Sequence, residues 1–528
     1  MNLRSTDGPA PADQALSGTS QIGADMNDSG AMETATAGEG LAATPGATGH
    51  GTPGAVTAGA DGRSSQARGN LTTGPILQTL LLFSVPTLLS NILQTLNGSI
   101  NSIWVGRLIG ESALAATANA NVVMFLLFAA VFGFGMATTV RVGQHFGAGD
   151  IAAARRTFGA GVGFCPMLSL FIAVGGWLSA PALLNLLGTP GASMAEALAY
   201  LRVIFISIPF GTLSLMIAMG LRGAGDSRTP LRAMILTVAI DVVLNPVLIR
   251  GLGPIPGFGI GGSAASSAIA NFAGVMLLVY VLYRRDLPLR LKGRELAWLW
   301  PAASELAYVL RKGVPMGTQM LLLSSAQLVM VGLVNREGLQ TSAAYGASLQ
   351  LWNYLQMPAL AIASAVSAMV AQSIGAGDHG RSGAVTRVGV LVNLGITGAA
   401  AALIVLFDRP LLGLFLGSGS AAVEVARHMQ LICTWSFMLS GVMMVLTGTM
   451  RAYGAVIWPL VIMFVAFYPA RLGFYYGAYP VIGSEALWWS YPASSAVAVL
   501  MTWLVYTRGG WRRAGPGRRA VGAQPEMP

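Results

Sequence analysis

QHFGAGD (Gln144 to Asp150) returns 228 positions later as QSIGAGD (Gln372 to Asp378), with five of its seven letters unchanged. The match is not isolated. Ser84-Val85-Pro86 is answered by Gly313-Val314-Pro315, 229 positions on, and GLRGAGDSRTPL (Gly220 to Leu231) by TMRAYGAVIWPL (Thr449 to Leu460). That last pair keeps Arg222 with Arg451, Gly225 with Gly454, Pro230 with Pro459 and Leu231 with Leu460. Three collinear matches at essentially one spacing make the chain a duplication. Glycine permits a tight turn, and Asp150 and Asp378 are placed to cap the helix that follows, so each seven-residue stretch reads as a turn between the second and third segments of its half. A gate contact is the other reading of these loops.

Composition says what is duplicated. The chain has 528 residues, 54% hydrophobic and 10% charged, with a mean hydropathy of +0.63; soluble domains carry about 25% charge. A helix needs about 20 apolar residues to cross the hydrocarbon, and twelve such runs occur at about 76–105, 112–138, 155–180, 192–220, 229–250, 260–283, 304–335, 341–369, 382–408, 420–448, 455–480 and 484–507. The alternating ten-residue strands of a barrel are absent from the pattern. An even number of segments per half gives both halves the same orientation, about an axis along the membrane normal, which is a transporter architecture. The expected fold is an all-α membrane protein of twelve transmembrane helices in two six-helix lobes related by a pseudo-twofold. Expected boundaries are a disordered cytoplasmic tail (1–70), an N-lobe (71–283), a cytoplasmic linker (284–303) bearing the amphipathic ELAWLW, a C-lobe (304–508) and a disordered basic tail (509–528).

The formal charge of +10 is a topology signal. Arginines and lysines gather at one end of the predicted segments, as in Arg155, Arg228, Arg232, the run from Arg284 to Arg294, Arg311 and Arg381, while the other end has only Arg107, Arg250, Arg336 and Arg409 in its loops. This positive-inside bias places both termini in the cytoplasm and argues against a nucleic-acid partner. The first 70 residues lack the pattern of a signal peptide. Cys165 and Cys433 fall within helices as buried thiols, and His145 and His379 have no partner ligands in spacing, so no metal site is expected. Gly257, Gly259 and Gly262 match GxGxxG without a preceding strand, and carry no nucleotide reading. No loop supplies the paired acids or histidines an enzyme would need.

Polar residues at membrane depth are costly and are therefore the functional candidates. Asn91, Gln94, Asn97 and Asn101 lie on one face of the first segment; Thr237, Asp241 and Asn245 recur every fourth residue on the fifth. Gln319 and Gln327 on the seventh segment, with Gln350, Asn353 and Gln356 on the eighth, form a second polar set, and Arg471 is a deep cation on the eleventh. Such amides either line a cavity or tie helices together. Asp241 is the sharpest of them, since a carboxylate at that depth pairs, binds a cation or holds a proton.

SIWVGRLIGESALAA (Ser102 to Ala116), the two GAGD loops, LRGAGDSRTP (Leu221 to Pro230), VLNPVLIRGLGPIPGFGIGGSAAS (Val243 to Ser266) and FYPARLGFYY (Phe467 to Tyr476) together resemble the multidrug and toxic compound extrusion family, MATE, nearest its DNA-damage-inducible-protein-F-like branch. The likeness runs from about residue 74 to about residue 508, across both halves and the spans counted above. It implies a multi-pass, monomeric exporter in a bacterial inner membrane, taking amphipathic or cationic organic compounds by alternating access of a V-shaped pair of lobes, needing no cofactor and coupled to protons or sodium. Ion coupling would fall to Asp241, Asn245 and Asn101, and the substrate cavity to Asn91, Gln94, Asn97, Thr237, Gln319, Gln327, Gln350, Asn353, Gln356 and Arg471. A flippase for a lipid-linked saccharide, from the same fold superfamily, is the alternative. The chain departs from the family's pattern where relatives usually carry an aspartate in the first helix, since Asn101 stands there, and it reads Asp241 then Asn245 where an Asn-then-Asp pair is common. Leu323 and Ser440 stand near the acidic positions of some relatives. An amide takes up no proton near neutral pH, so the departure leaves either coupling by a single site at Asp241 or a changed transport mode.

Overall fold

Every apolar run folds as helix, because a backbone in hydrocarbon must satisfy its own hydrogen bonds. The computed structural model describes residues 70–186, 191–252, 255–417 and 420–514. The first half comprises α1 (Ile76–Leu108), α2 (Glu111–Gly147), α3 (Ile151–Leu186), α4 (Gly191–Gly223), α5 (Arg228–Arg250) and α6 (Gly259–Arg284). After a linker come α7 (Ala303–Asn335), α8 (Leu339–Gly375), α9 (His379–Leu406), the short α10 (Asp408–Leu416), α11 (Ala422–Cys433), α12 (Ser436–Ala452), α13 (Ile457–Val465), α14 (Arg471–Ile482) and α15 (Glu485–Arg508). Among the described residues nine helical spans are long and apolar enough to cross a membrane, and a bent pair, α11 with α12, makes a tenth. With α2 and α15 the described helices are consistent with twelve segments in two lobes.

The repeated loops have one geometry in both halves. Gly149 and Gly377 both adopt φ of 76°, and Gly225 and Gly454 adopt 87° and 78°. These left-handed residues end their helices: the amide of Asp150 donates to the His145 carbonyl at 3.0 Å and that of Asp378 to the Ser373 carbonyl at 2.9 Å, a bond that closes the last turn. Asp150 then accepts from the Ala153 amide at 2.9 Å and Asp378 from the Arg381 amide at 2.8 Å. Both aspartates are helix N-caps, as expected from their position. Gln144 to Gly147 and Gln372 to Gly375, however, are the final turns of α2 and α8 rather than loop. Counting apolar residues finds only the stretch inside hydrocarbon, and these helices run on past it.

That extra turn is where the lobes meet. A Cβ on Gly147 would stand 1.9 Å from the Gln372 carbonyl oxygen, and one on Gly375 would stand 1.9 Å from that of Gln144. The two α-helix ends therefore cross backbone to backbone, each through the other's glycine. Around this crossing Gln144 Nε2 donates to the Ala452 carbonyl at 2.8 Å, and Gln372 Nε2 to the Gly223 carbonyl at 3.0 Å. Each lobe thus caps the end of a helix in the other. Farther along α2, a Cβ on Gly133 would meet the Gly317 amide at 2.3 Å and the Gly313 carbonyl at 2.4 Å, so small residues bring α2 and α7 together as well.

Three departures from the sequence reading have local causes. The tenth segment is broken by 45° between α11 and α12. The eleventh carries a π-turn at Ala466–Ala470 that includes Pro469, whose missing N–H cannot continue an ordinary ladder. At the C-terminus, Gly510–Ala514 forms a short turn with Trp511 buried against Tyr453 and Tyr506, so the boundary expected at residue 508 falls early; residues 515–528, like the tail expected over 1–70 apart from its last residue, lie outside the described residues. The ELAWLW stretch does form its own element, a 3₁₀ turn over Gly293–Leu299 that lies on α3 where Gly159 and Gly163 leave room, fastened by Glu295 to Arg155 at 3.0 Å.

Candidate functional site: a polar ladder in the first lobe

Asp241 lies about 20 Å along α5 from Arg228, at 1.5 Å per residue, which is mid-depth for a spanning helix. Its side chain is 2% exposed. Three donors surround it: Asn97 Nδ2 at 2.8 Å to Oδ2, Ser266 Oγ at 2.7 Å to Oδ1, and Ser267 Oγ at 3.2 Å to both oxygens. No basic side chain pairs with it among the described residues. One turn on, Asn245 Nδ2 donates to Asn101 Oδ1 at 2.6 Å, and Ser263 Oγ donates to the same atom at 2.6 Å. Asn97 and Asn101 on α1 therefore face Asp241 and Asn245 on α5 as two rungs of one ladder. Both helices advance four residues between rungs, which requires them to run parallel.

Beside the ladder is a cavity of about 370 Å³, walled by α1, α2, α4, α5 and α6. Asn91, Gln94, Asn97, Thr237 and Asp241 all line it, with apolar surface from Phe128, Phe132, Leu215 and Met219. Asn271 and Ser267 close one wall, and Arg222 stands at the arginine-rich end with its Nε unpartnered. A space of this size, mostly apolar with a few convergent polar groups, suits a small organic molecule. Among the described residues the carboxylate is hydrogen-bonded by neutral donors and has no counter-charge, so a cation can join it without first displacing an arginine or lysine. Were one to arrive, an N–H of Asn97 aimed at that oxygen would have to turn away.

The structure separates the remaining candidates from this site. Gln319 is buried between α7 and α13, donating to the Val456 carbonyl at 3.2 Å and accepting from Arg451 at 3.4 Å, so it ties helices and does not line the cavity. Gln327, Gln350 and Asn353 lie on exposed faces of α7 and α8, Gln356 is half-buried, and none of the four lines the cavity around Asp241. Arg471, 7% exposed, is enclosed by aromatics: its guanidinium carbon lies 4.3 Å from the ring centre of Tyr491 and 4.9 Å from that of Phe467, and Nε donates to Ser494 Oγ at 3.0 Å. Ser263, Ser266, Ser267 and Asn271 on α6 went unread in the sequence, although their spacing sets them along one helical face, which was the available signal. The thiols of Cys165 and Cys433 are buried and unpaired, and no group of metal-ligating side chains occurs among the described residues.

The family model MatE matches residues 86–247 and again 315–476, two copies at the spacing of the internal repeat. A protein named "Probable multidrug resistance protein YoeA" from Bacillus subtilis is 34% identical over 82% of this chain and 93% of that protein, and "Probable multidrug resistance protein YpnP" from the same organism is 29% identical over 84% and 97%. Among solved structures, one described as "Outward-facing conformation of a multidrug resistance MATE family transporter of the MOP superfamily" superposes with a TM-score of 0.76 at 21% identity, over 83% of this chain and 96% of that one, a likeness of fold.

Proposed function

The chain belongs to the MatE family of multi-pass membrane transporters, and on that premise we propose that it exports bulky amphipathic or cationic organic compounds across a bacterial plasma membrane, driven by protons or sodium ions moving inward. The observation that carries the reading is Asp241: a carboxylate without a cationic partner among the described residues, held by neutral donors, opening on a cavity of amides and aromatics. The relatives named for multidrug resistance support the substrate class. The arginine-rich end faces the cytoplasm in this reading, by the positive-inside rule.

Coupling follows from the ladder. With Asp241 ionised and empty, Asn97 and Asn101 hold α1 against α5. A cation or proton on the carboxylate competes with the Asn97 amide, frees that rung, and favours the conformation in which α1 is less tightly held; the ion shifts the equilibrium only by its differential affinity for the two states. Since α1 and α2 also meet the C-lobe, a change at the ladder reaches the lobe crossing at Gly147 and Gly375. A flippase for a lipid-linked saccharide would need to hold a pyrophosphate, and one arginine, Arg222, at the margin of the cavity does not supply that.

The test is export of a fluorescent amphipathic cation from proteoliposomes under imposed proton or sodium gradients. Export should rise with one of the gradients and fall to the passive leak when it is collapsed. Export indifferent to both gradients overturns the proposal.

A further inference from the structure

A second cavity, about 800 Å³, opens at the arginine-rich end between the start of α1, the start of α5 and the end of α6. Four arginines line it, Arg228 and Arg232 from α5, Arg284 at the end of α6 and Arg285 just beyond it. All four are exposed, and among the described residues none has an ion pair. The one acid on the lining is already engaged: Asp226 accepts from the amides of Arg228 and Thr229 at 3.0 Å each and from the Thr229 hydroxyl at 2.6 Å. Elsewhere some cations are paired, as in Arg155 with Glu295 at 3.0 Å and Arg427 with Asp408 at 3.0 Å, while others such as Arg311 and Arg387 have no ion pair among the described residues.

The repeat shows that the α5 pair is not required by the fold. The C-lobe positions equivalent to Arg228 and Arg232 are Ile457 and Val461, and Asp226 corresponds to Ala455. An orientation signal needs basic residues somewhere at one end; it does not need four of them converging from two segments on one cavity. The cavity also has a greasy side. Leu82 and Phe83 of α1 line it, Leu82 being 52% exposed, and the α5 face that begins with Arg228 and Arg232 continues at helical spacing to Ile235, 50% exposed. Positive charge at headgroup level above an outward apolar face is the arrangement that a phospholipid fits.

We propose that this groove binds an anionic phospholipid, with its phosphate held by Arg228, Arg232, Arg284 and Arg285 and its acyl chains lying along α1 and α5. Guanidinium groups match phosphate oxygens in pairs, so a zwitterionic lipid, whose own cation would meet the arginines, is disfavoured. The site is independent of the ion at Asp241 and holds whatever the exported compound is.

Purified full-length protein would be titrated with phosphatidylglycerol or phosphatidylcholine in mixed micelles, with glycerol 3-phosphate as a free headgroup, reading bound lipid by native mass spectrometry. The variants are R228Q/R232Q, R284Q/R285Q and, as a control at the same end, R311Q/R387Q. Phosphatidylglycerol should bind in preference to phosphatidylcholine, and each lining pair should weaken it on the order of thirtyfold, while the control pair should leave it within about twofold. Because the lining pairs lie on separate segments, either one that purifies as a monodisperse protein gives the answer. Equal weakening by the control pair would reveal diffuse charge attraction, and glycerol 3-phosphate competing at the lipid's own concentration would reveal a soluble-anion site. Unchanged binding in a lining variant would remove the site. Each of these three results overturns the proposal.

Discussion

The two lobes repeat one plan and hold opposite charges. At mid-depth of the fifth segment the N-lobe has Asp241, and the residue after its C-lobe equivalent, Ala470, is Arg471. The partners of the N-lobe acid have been replaced in step: Asn97 corresponds to Ala326, Asn101 to Met330 and Asn245 to Phe474. Where one lobe has an amide ladder the other has apolar and aromatic side chains, with Tyr345 and Tyr491 sharing a hydroxyl bond at 2.6 Å and Arg471 stacked against Tyr491 nearby. On the proposed coupling, the polar lobe exchanges its partners for an ion, since serine and asparagine donors can turn. In the aromatic lobe the guanidinium is already a fixed cation packed between the Tyr491 and Phe467 rings, so no second cation is taken up beside it on that proposal. The proposal therefore assigns the response to the ion to the N-lobe.

The largest expected effect is from Asp241→Asn, which keeps the shape and removes the charge. Gradient-driven export in proteoliposomes should fall to the passive leak, whereas substrate binding, measured by fluorescence, should stay within a few-fold of wild type. Next comes the crossing between lobes. Gly147→Val and Gly375→Val each force a side chain into a carbonyl 1.9 Å from the added Cβ; overpacking of this kind costs about 1–3 kcal/mol, so spin-label distances across the arginine-rich end should shift toward the open state by about tenfold in population, to a similar extent in the two variants. Marked inequality between the two would break the symmetry assigned to the crossing.

A smaller change should follow Ser266→Ala, which removes one of the donors to the carboxylate. Loss of a hydrogen bond to a charged group is worth about 1.5–3 kcal/mol, so the ion concentration for half-maximal export should move by about tenfold or more, with the maximal rate retained. Replacing the lobe-capping amides is milder still. Gln144→Leu should shift the open-to-closed ratio about threefold, at about 0.6 kcal/mol for a polar contact between membrane helices, and Gln372→Leu somewhat more, since Gln372 Oε1 also accepts from the Leu71 amide at 2.9 Å. Arg471→Lys closes the series: thermal stability should drop by about 1–2 kcal/mol with the stacking lost, yet the gradient dependence of export should not change. A flattened gradient response in that variant would make the C-lobe cation part of the coupling.

The sequence made the duplication, the helical spans and the capping role of Asp150 and Asp378 legible, because all of these are written in local spacing. The faces of α1 and α5 were legible too, and the structure brings Asn97 and Asn101 to Asp241 and Asn245. What escaped depends on neighbours far along the chain. The hydroxyls of Ser266 and Ser267 matter only because α6 packs on α5. In the C-lobe the amide of Gln319 looks in sequence like those on α1, but α13 supplies a carbonyl that occupies it. The aromatic enclosure of Arg471 draws Phe467 from the same helix and Tyr491 from the next, and no periodicity announces it. The breaks in the tenth and eleventh segments are similar: hydropathy sees a continuous apolar run whether or not the backbone turns within it.

The central claim is that occupancy of Asp241 moves the lobes. It is tested most directly by spin-label distances across the arginine-rich end of the purified transporter, measured as the pH or sodium concentration is varied, in wild type and in Asp241→Asn. The account predicts that the distribution shifts with the coupling ion in the wild type and stays fixed in the variant. A distribution that moves alike in both would contradict it.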